Sequence, residues 1–316
     1  MGTQTLRALT HAQTPGLTWV MAKKNDARTL KALRESFNYH QVDLADTAPP
    51  IQRQKLVERD KYLFMILQYP VFNRETRIIS SAEIDFYIEP GRLVTVDAAG
   101  LSPLQDLFQS FQDSVKPGAG SDASLFVDVP HLLYGILNEL TLSIHPMLRH
   151  LSADVEAIED RLFTNFERSL IKDLLRVKTN IVNVRKSMQG HKMVIRRLIA
   201  ASDRHFPDSR RLEEYFDRLV DETKDIWENL ESQKDTIDAL HETSASLVDF
   251  QINEIMRTLT LISVIVFPLT LLAAIFGMNA VGMPLVTHPY GFWIILAVMI
   301  TAAVSMIGYF RYRKWL

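Results

Sequence analysis

Apolar residues are spread unevenly along this chain, and the unevenness divides it. Between Arg257 and Arg311 there is no Lys, Arg, Asp or Glu, whereas the preceding sequence is dense in charge. Two apolar runs fill that interval, TLTLISVIVFPLTLLAAIF (258–276) and YGFWIILAVMITAAVSMIGYF (290–310). Each matches the ~20 residues a helix needs to cross a hydrocarbon layer. A pair of buried core helices would also be apolar, but two such runs without an ionised side chain favour a transmembrane hairpin. The loop between them, 277–289, has no Lys or Arg, while Arg257 precedes the first span and Arg311, Arg313 and Lys314 follow the second in a basic tail, 311–316. Basic residues concentrate on the cytoplasmic side, so both termini are expected inside a cell (inner or plasma) membrane that the chain crosses twice. Tyr290, Trp293, Tyr309, Tyr312 and Trp315 stand where interfacial aromatics belong.

Ahead of the hairpin the pattern changes twice. Residues 1–128 read as a cytoplasmic α/β domain. DARTLKALRESFNYH has helical spacing, with Leu30, Leu33 and Phe37 on one face. KYLFMILQYPVF, EIDFYIEP and RLVTVDAAG are short, β-rich and punctuated by Pro or Gly, and PGAGSDAS (117–124) has loop composition. From Pro130 to about 203 the sequence reads as helical, giving antiparallel cytoplasmic helices over 129–206, and SDRHFPDS breaks the pattern at Pro207. A stalk helix (207–257) then starts near Ser209 and meets no Gly or Pro before Pro268, so it enters the first span without a break.

Steps of seven along the stalk give Leu212, Leu219, Ile226, Gln233, Leu240, Leu247 and Glu254. The companion series is Phe216, Thr223, Leu230, Ile237, Ser244 and Gln251. This is a coiled-coil-like seam. Its polar members suit either helices around a wet axis or an imperfect core.

Composition narrows the chemistry. The 316 residues carry a formal charge of −2 and no cysteine, which gives no electrostatic case for nucleic acid and excludes disulfides and thiolate metal sites. The first residues lack the apolar core of a secretory signal. There is no G-x-S-x-G, Walker loop or H-E-x-x-H, so an enzyme is not expected. The acidic run ADVEAIED (153–160) lies among basic residues and reads as a solvated, ion-paired face.

Two spans per chain cannot easily enclose water, so the hairpin is either an anchor or one of several copies around a pore. Thr260, Phe267 and Thr270 fall close to one stripe of the first span, and Asn253 and Met256 continue it inward. At its outer end stands Gly277-Met278-Asn279. Neutral backbone and amide oxygens there could hold the water shell of Mg²⁺, which dehydrates reluctantly.

The run NEIMRTLTLISVIVFPLTLLAAIFGMN (253–279), with Lys314-Trp315-Leu316 at the end, resembles the CorA family of divalent-cation channels. The resemblance implies a homopentamer with five first spans lining the pore. Gly277, Met278 and Asn279 would form the outer ion-recognition ring. Thr270, Phe267, Leu259, Met256 and Asn253 would line the path inward, Met256 and Leu259 forming the constriction and Glu242 the inner mouth. Arg257 and the tail basics would form a positive collar. The transported ion would be Mg²⁺, with Co²⁺ and Ni²⁺ accompanying it.

The resemblance also implies closure by intracellular Mg²⁺ held between neighbouring cytoplasmic domains. VDLADTAPPIQRQK resembles the family segment, with Asp46 at one acid position and Ala45 at the other. Asp217 and Asp221 lie near the expected stalk partner, whose place Arg218 takes. The neutral outer loop, AVGMPLVTHPYGF, is similar to that of the zinc-moving ZntB branch, although its one histidine, His288, is a poor zinc site. A ZntB-like Zn²⁺ transporter is therefore the alternative. A non-conducting membrane-anchored scaffold is the third possibility.

Overall fold

The computed structural model describes residues 9–23, 25–115, 127–164, 168–206, 213–278 and 288–315. The expected loop at 117–124, Pro207, the stalk start near Ser209, Leu212 and Asn279 lie outside them. The chain divides into two compact units, Met1–His241 and Glu242–Leu316.

The first unit is built on a six-stranded sheet. Its strands are β1 (Leu9–Thr14), β2 (Leu17–Ala22), β3 (Lys55–Glu58), β4 (Leu63–Asn73), β5 (Ile78–Glu89) and β6 (Arg92–Asp97), in spatial order β1-β2-β6-β5-β4-β3. Only β2 and β6 pair in parallel. LFMIL in β4 is buried at all five positions, as a central strand covered on both faces requires. One face packs Phe64, Ile66, Tyr87, Val94 and Val96 against Ala32 and Leu33 of α1 (Ala27–Phe37) and Leu44 of α2 (Gln41–Thr47). On the other, Trp19 meets Phe108 and Phe111 of α3 (Ser102–Ser114) at ring-centroid distances of 4.9 and 5.8 Å.

Sequence reading found the helix at α1 and strands at β4 to β6 but assigned none to β1, β2 or β3. LTHAQT buries only Leu9 and Ala12, so its composition reads as polar. Its pairing with β2 depends on the turn at Gly16, whose φ of +103° favours glycine. The expected helical face of α1 is present: Leu33 is buried, Leu30 and Phe37 are half-buried, and Phe37 packs against the same core as Leu33.

The helical stretch after residue 128 is four helices: α4 (Val129–Leu142), α5 (Ile144–Thr164), α6 (Arg168–Met188) and α7 (His191–His205). Pro146 explains the first break, since proline is tolerated in a first helical turn but not inside a continuing helix. Then comes α8, Glu213–Phe276, a single helix that contains Pro268.

The heptad seam of α8 is buried in the first unit at Phe216, Leu219, Thr223, Ile226, Leu230, Gln233, Ile237 and Leu240. Gln233 settles what the polar seam members face there. Its amide nitrogen lies 2.6 Å from Ser152 Oγ and 3.4 Å from the Leu148 carbonyl, both on α5. This polar position therefore makes its contact within the chain through the amide nitrogen, while its Oε1 has no partner. Lys178–Asp238 (2.7 Å), Arg185–Glu231 and Arg185 over the Trp227 ring (4.8 Å) fasten α6 to α8.

One buried ion pair holds the segment after α1 to the sheet. Asp43 is fully buried in α2 and accepts from Arg59 Nε (3.0 Å), Arg59 Nη2 (2.6 Å) and the Tyr62 hydroxyl (2.6 Å). Burial and the bond to Asp43 push the Tyr62 phenol up to about 12, so it stays a donor at neutral pH. Removing one partner of a buried pair costs about 3–5 kcal/mol, and the partial exposure of Arg59 places this case near the lower end. Asp43→Ala is expected to lower the thermal midpoint of the detergent-solubilised protein by several degrees, and Asp43→Asn, which keeps the shape, by less. Equal midpoints for all three proteins would show that the pair holds nothing.

Candidate functional site

The second unit contains the membrane half of α8 and α9 (Gly291–Tyr312), the two helices apolar and long enough to cross a bilayer. At 3.6 residues per turn, Glu242, Asn253, Met256, Leu259, Thr260, Phe267 and Thr270 fall within an arc of about 120° of α8. All seven side chains are exposed, Phe267 at 70%. Contacts with α9 lie elsewhere: Leu261, the buried residue of this stretch, lines one groove with Ile265, Ile307 and Trp315. The predicted pathway residues therefore share a face that α9 leaves uncovered.

Hydroxyls on that side have a defined state. Thr260 donates to the Met256 carbonyl (2.7 Å), Ser263 to Leu259 (2.8 Å) and Thr270 to Val266 (2.9 Å). Bonding back to the preceding turn is ordinary for such residues in membrane helices. It also spends each hydroxyl proton on the backbone and leaves the oxygen lone pairs. What the stripe offers outward is acceptor character without charge.

Helix α8 ends at Phe276. The Gly277 amide donates to Ala273 O (2.9 Å) and the Met278 amide to Ile275 O (3.2 Å). Gly277 is not in the left-handed region. Glycine is favoured there by close approach, because a Cβ would sit 3.0 Å from the Ala273 carbonyl oxygen. Met278 is exposed, and Asn279 lies outside the described residues. His288 accepts from the Tyr290 amide through Nδ1 (3.2 Å) at the start of α9. No three His, Cys, Asp or Glu side chains meet as a metal site among the described residues.

At the inner end the basic residues are tied together in a way the sequence did not announce. Arg257 Nη2 donates to the Lys314 carbonyl (2.6 Å), and Arg257 Nη1 lies 3.8 Å from Glu254. Lys314 has φ +56°, which turns the tail so that Trp315 stacks on Phe310 at 5.9 Å. Arg313 sits 6.0 Å from the Tyr309 ring, and Arg311 lies in the last turn of α9. Glu254 and Arg257 both fall outside the 120° arc.

The regulatory candidates are placed differently. Asp46 is bound by Lys55 at 2.5 Å, and Asp217 and Asp221 are exposed on α8.

Removing the Arg257 guanidinium should free the tail. In Arg257→Ala, amide hydrogen exchange at Lys314 and Trp315 is expected to accelerate by about tenfold, the equivalent of ~1.4 kcal/mol for a hydrogen bond from a charged donor. Unchanged protection would mean that the helix end holds the tail without the arginine.

The chain as a whole is similar to known proteins. A cobalt/magnesium transport protein CorA of Thermotoga maritima is 25% identical over 284 residues, 89% of this chain and 78% of that protein. A zinc transport protein ZntB of Yersinia enterocolitica is 22% identical over 249 residues, 78% of this chain and 71% of its own. The complete structure of the CorA magnesium transporter from Methanocaldococcus jannaschii matches with a TM-score of 0.81 at 22% identity, covering 96% of this chain and 93% of that one, which is a likeness of fold. The CorA-like Mg²⁺ transporter protein family matches residues 15–313, from the β1–β2 turn to the basic tail, and the chain belongs to that family.

Proposed function

We propose that this protein is a membrane channel for divalent cations, principally Mg²⁺, formed by five copies whose α8 spans surround the path. The observation that carries this reading is the uncharged stripe of α8, exposed from Asn253 to Thr270 and leading to Gly277 and Met278. A bare Mg²⁺ binds water too strongly to be stripped by hydroxyl and amide oxygens, so recognition acts on the hydrated ion. Hydroxyl oxygens whose protons are already committed accept bonds from the outward-pointing hydrogens of that water shell. Asn279 with Gly277 and Met278 forms the outer ring, and Met256 and Leu259 narrow the inner end. Co²⁺ and Ni²⁺, similar when hydrated, pass by the same route.

Both termini lie in the cytoplasm, a reading supported by Arg257 ahead of the first span, by Arg311, Arg313 and Lys314 after the second, and by the loop without Lys or Arg. The membrane potential then drives uptake. At ~2.3 kcal/mol per charge per 100 mV, a divalent ion gains ~4.6 kcal/mol, a gradient of roughly 10³. No carboxylate lies between Arg257 and Arg311 to carry a proton, which disfavours proton coupling. Closure by intracellular Mg²⁺ would need Asp46 released from Lys55 to face Asp217 or Asp221 of a second copy.

Zinc is the second reading, favoured by the acid-free outer loop and by the ZntB relative. Flux into liposomes under an imposed potential and no pH gradient separates the two. Mg²⁺ uptake is expected, falling at least about tenfold in Asn279→Ala. Zinc uptake alone would overturn the choice of ion, and silence for both would leave a membrane-anchored scaffold.

A further inference from the structure

Strand β5 carries two acids on a face that should be apolar. Side chains alternate along a strand, so Glu83 and Asp85 share the side of Tyr87, which packs into the core beneath α1 and α2. Asp85 stands opposite Val96 of β6, is 2% exposed, and its Oδ1 has no hydrogen-bond partner. The Thr47 hydroxyl nearby acts only to lower its pKa, and is bonded to the Asp43 carbonyl and the Tyr87 hydroxyl. An orphaned carboxyl oxygen at this depth is costly, and in native proteins such a group calls for an explanation.

Both acids line a cavity of about 360 Å³, within the size range of small-ligand sites. Its other walls include Pro49, Ile51, Val71 and Val96. Glu83 accepts from the Gln52 amide, which leaves it acceptor capacity, since a carboxylate has about four lone-pair positions. The nearby lysine does not fill the space: Lys55 is bound to Asp46.

The occupant must be cationic, to meet two acids, and must tolerate apolar walls. A hydrated divalent ion suits this poorly. Of the other cavity walls only Asn25, Ser80 and Ser81 can serve a water shell, Ser81 is already bonded to Ser187, and among the described residues no third His, Cys, Asp or Glu joins the pair. A primary ammonium suits both features, with three N–H donors for carboxyl oxygens and a methylene chain against the apolar side. We propose that this cavity is a binding site for a small aliphatic amine, its ammonium group held between Glu83 and Asp85.

Proton release should accompany binding. Burial raises Glu83 to about 7 and raises Asp85 well above the usual carboxylate range; Asp46 adds to both shifts, Lys55 opposes both, and the Thr47 hydroxyl lowers Asp85. Without a cation Glu83 therefore retains part of its protons at pH 7. An arriving cation favours the ionised forms and expels them.

Isothermal titration of the full-length protein in detergent with 1,4-diaminobutane, at pH 7 in two buffers of different ionisation enthalpy, tests this. One site per chain is expected, with buffer-dependent heat reporting proton release. Asp85→Asn and Glu83→Gln should each weaken binding at least tenfold. Ala98→Leu, at the exposed rim, should block binding while both acids stay in place. No saturable binding, affinity unchanged in all three variants, or displacement of the amine by equimolar MgCl₂ would each overturn the proposal, the last by making the site a metal site.

Discussion

Hydrocarbon accepts neither an ionised side chain nor an unpaired peptide group, and both halves of this problem are visible between Arg257 and Arg311. A helix solves the backbone half by closing every amide on its own turn. The side-chain half is harder for a protein of the CorA-like family, because an ion must be met by polar atoms where charge is excluded. The stripe on α8 answers with groups that are polar only outward. Thr260 and Thr270 bond back to Met256 and Val266 and keep their oxygens available. The helix bonding that allows the span to exist is thus the same bonding that defines what the stripe can offer.

Ahead of the membrane, the same exclusion operates in protein rather than lipid. Asp43 is buried with three donors around it, and Gln233 is buried with its nitrogen bonded to Ser152 and Asn229. His191, fully buried under the sheet, has its pKa lowered to about 4 by that burial and gives Nε2 to the Gln68 carbonyl. Each of these groups has at least one named partner on another element or an adjacent turn, and Gln233 Oε1 and His191 Nδ1 are left without one. Asp85 Oδ1 is likewise unpartnered, and it belongs to an acid that lines a cavity.

Sequence pattern revealed periodicity and missed partnership. The two spans were legible because a long charge-free run has few physical alternatives. The stalk seam was legible as well, since steps of seven found the positions that are buried from Phe216 to Ser244. What the seam packs against was not legible: a heptad identifies a face, and α5 of the same chain serves as well as another copy. Strands β1 and β3 escaped because LTHAQT and KLVE bury too few residues to alternate visibly, and β2 because LTWVMA is buried at nearly every position and does not alternate either. The acids on β5 escaped for the opposite reason. EIDFYIE puts Ile84, Phe86 and Ile88 on one face and Glu83, Asp85, Tyr87 and Glu89 on the other, so alternation assigns Asp85 to the polar face and gives no sign that this face is buried too. The Arg257–Lys314 contact joins positions 57 residues apart and has no local signal at all.

That contact bears on how a positive collar can coexist with a cation path. Arg257 stands close to the inner end of the stripe, and an unscreened guanidinium there would raise the local potential against any divalent ion. Two features of its surroundings weaken that field. Glu254 lies one turn earlier at 3.8 Å, and the Lys314 carbonyl takes the other side of the guanidinium at 2.6 Å. Both draw the side chain towards α9 and away from the exposed arc that holds Asn253 and Met256. The carbonyl also belongs to the tail that carries Arg313 and Lys314, so the bond that turns Arg257 aside fixes where the remaining basic groups begin. The proposed pathway and a basic tail are compatible because one arginine joins the tail to the flank of α8 instead of to its exposed arc.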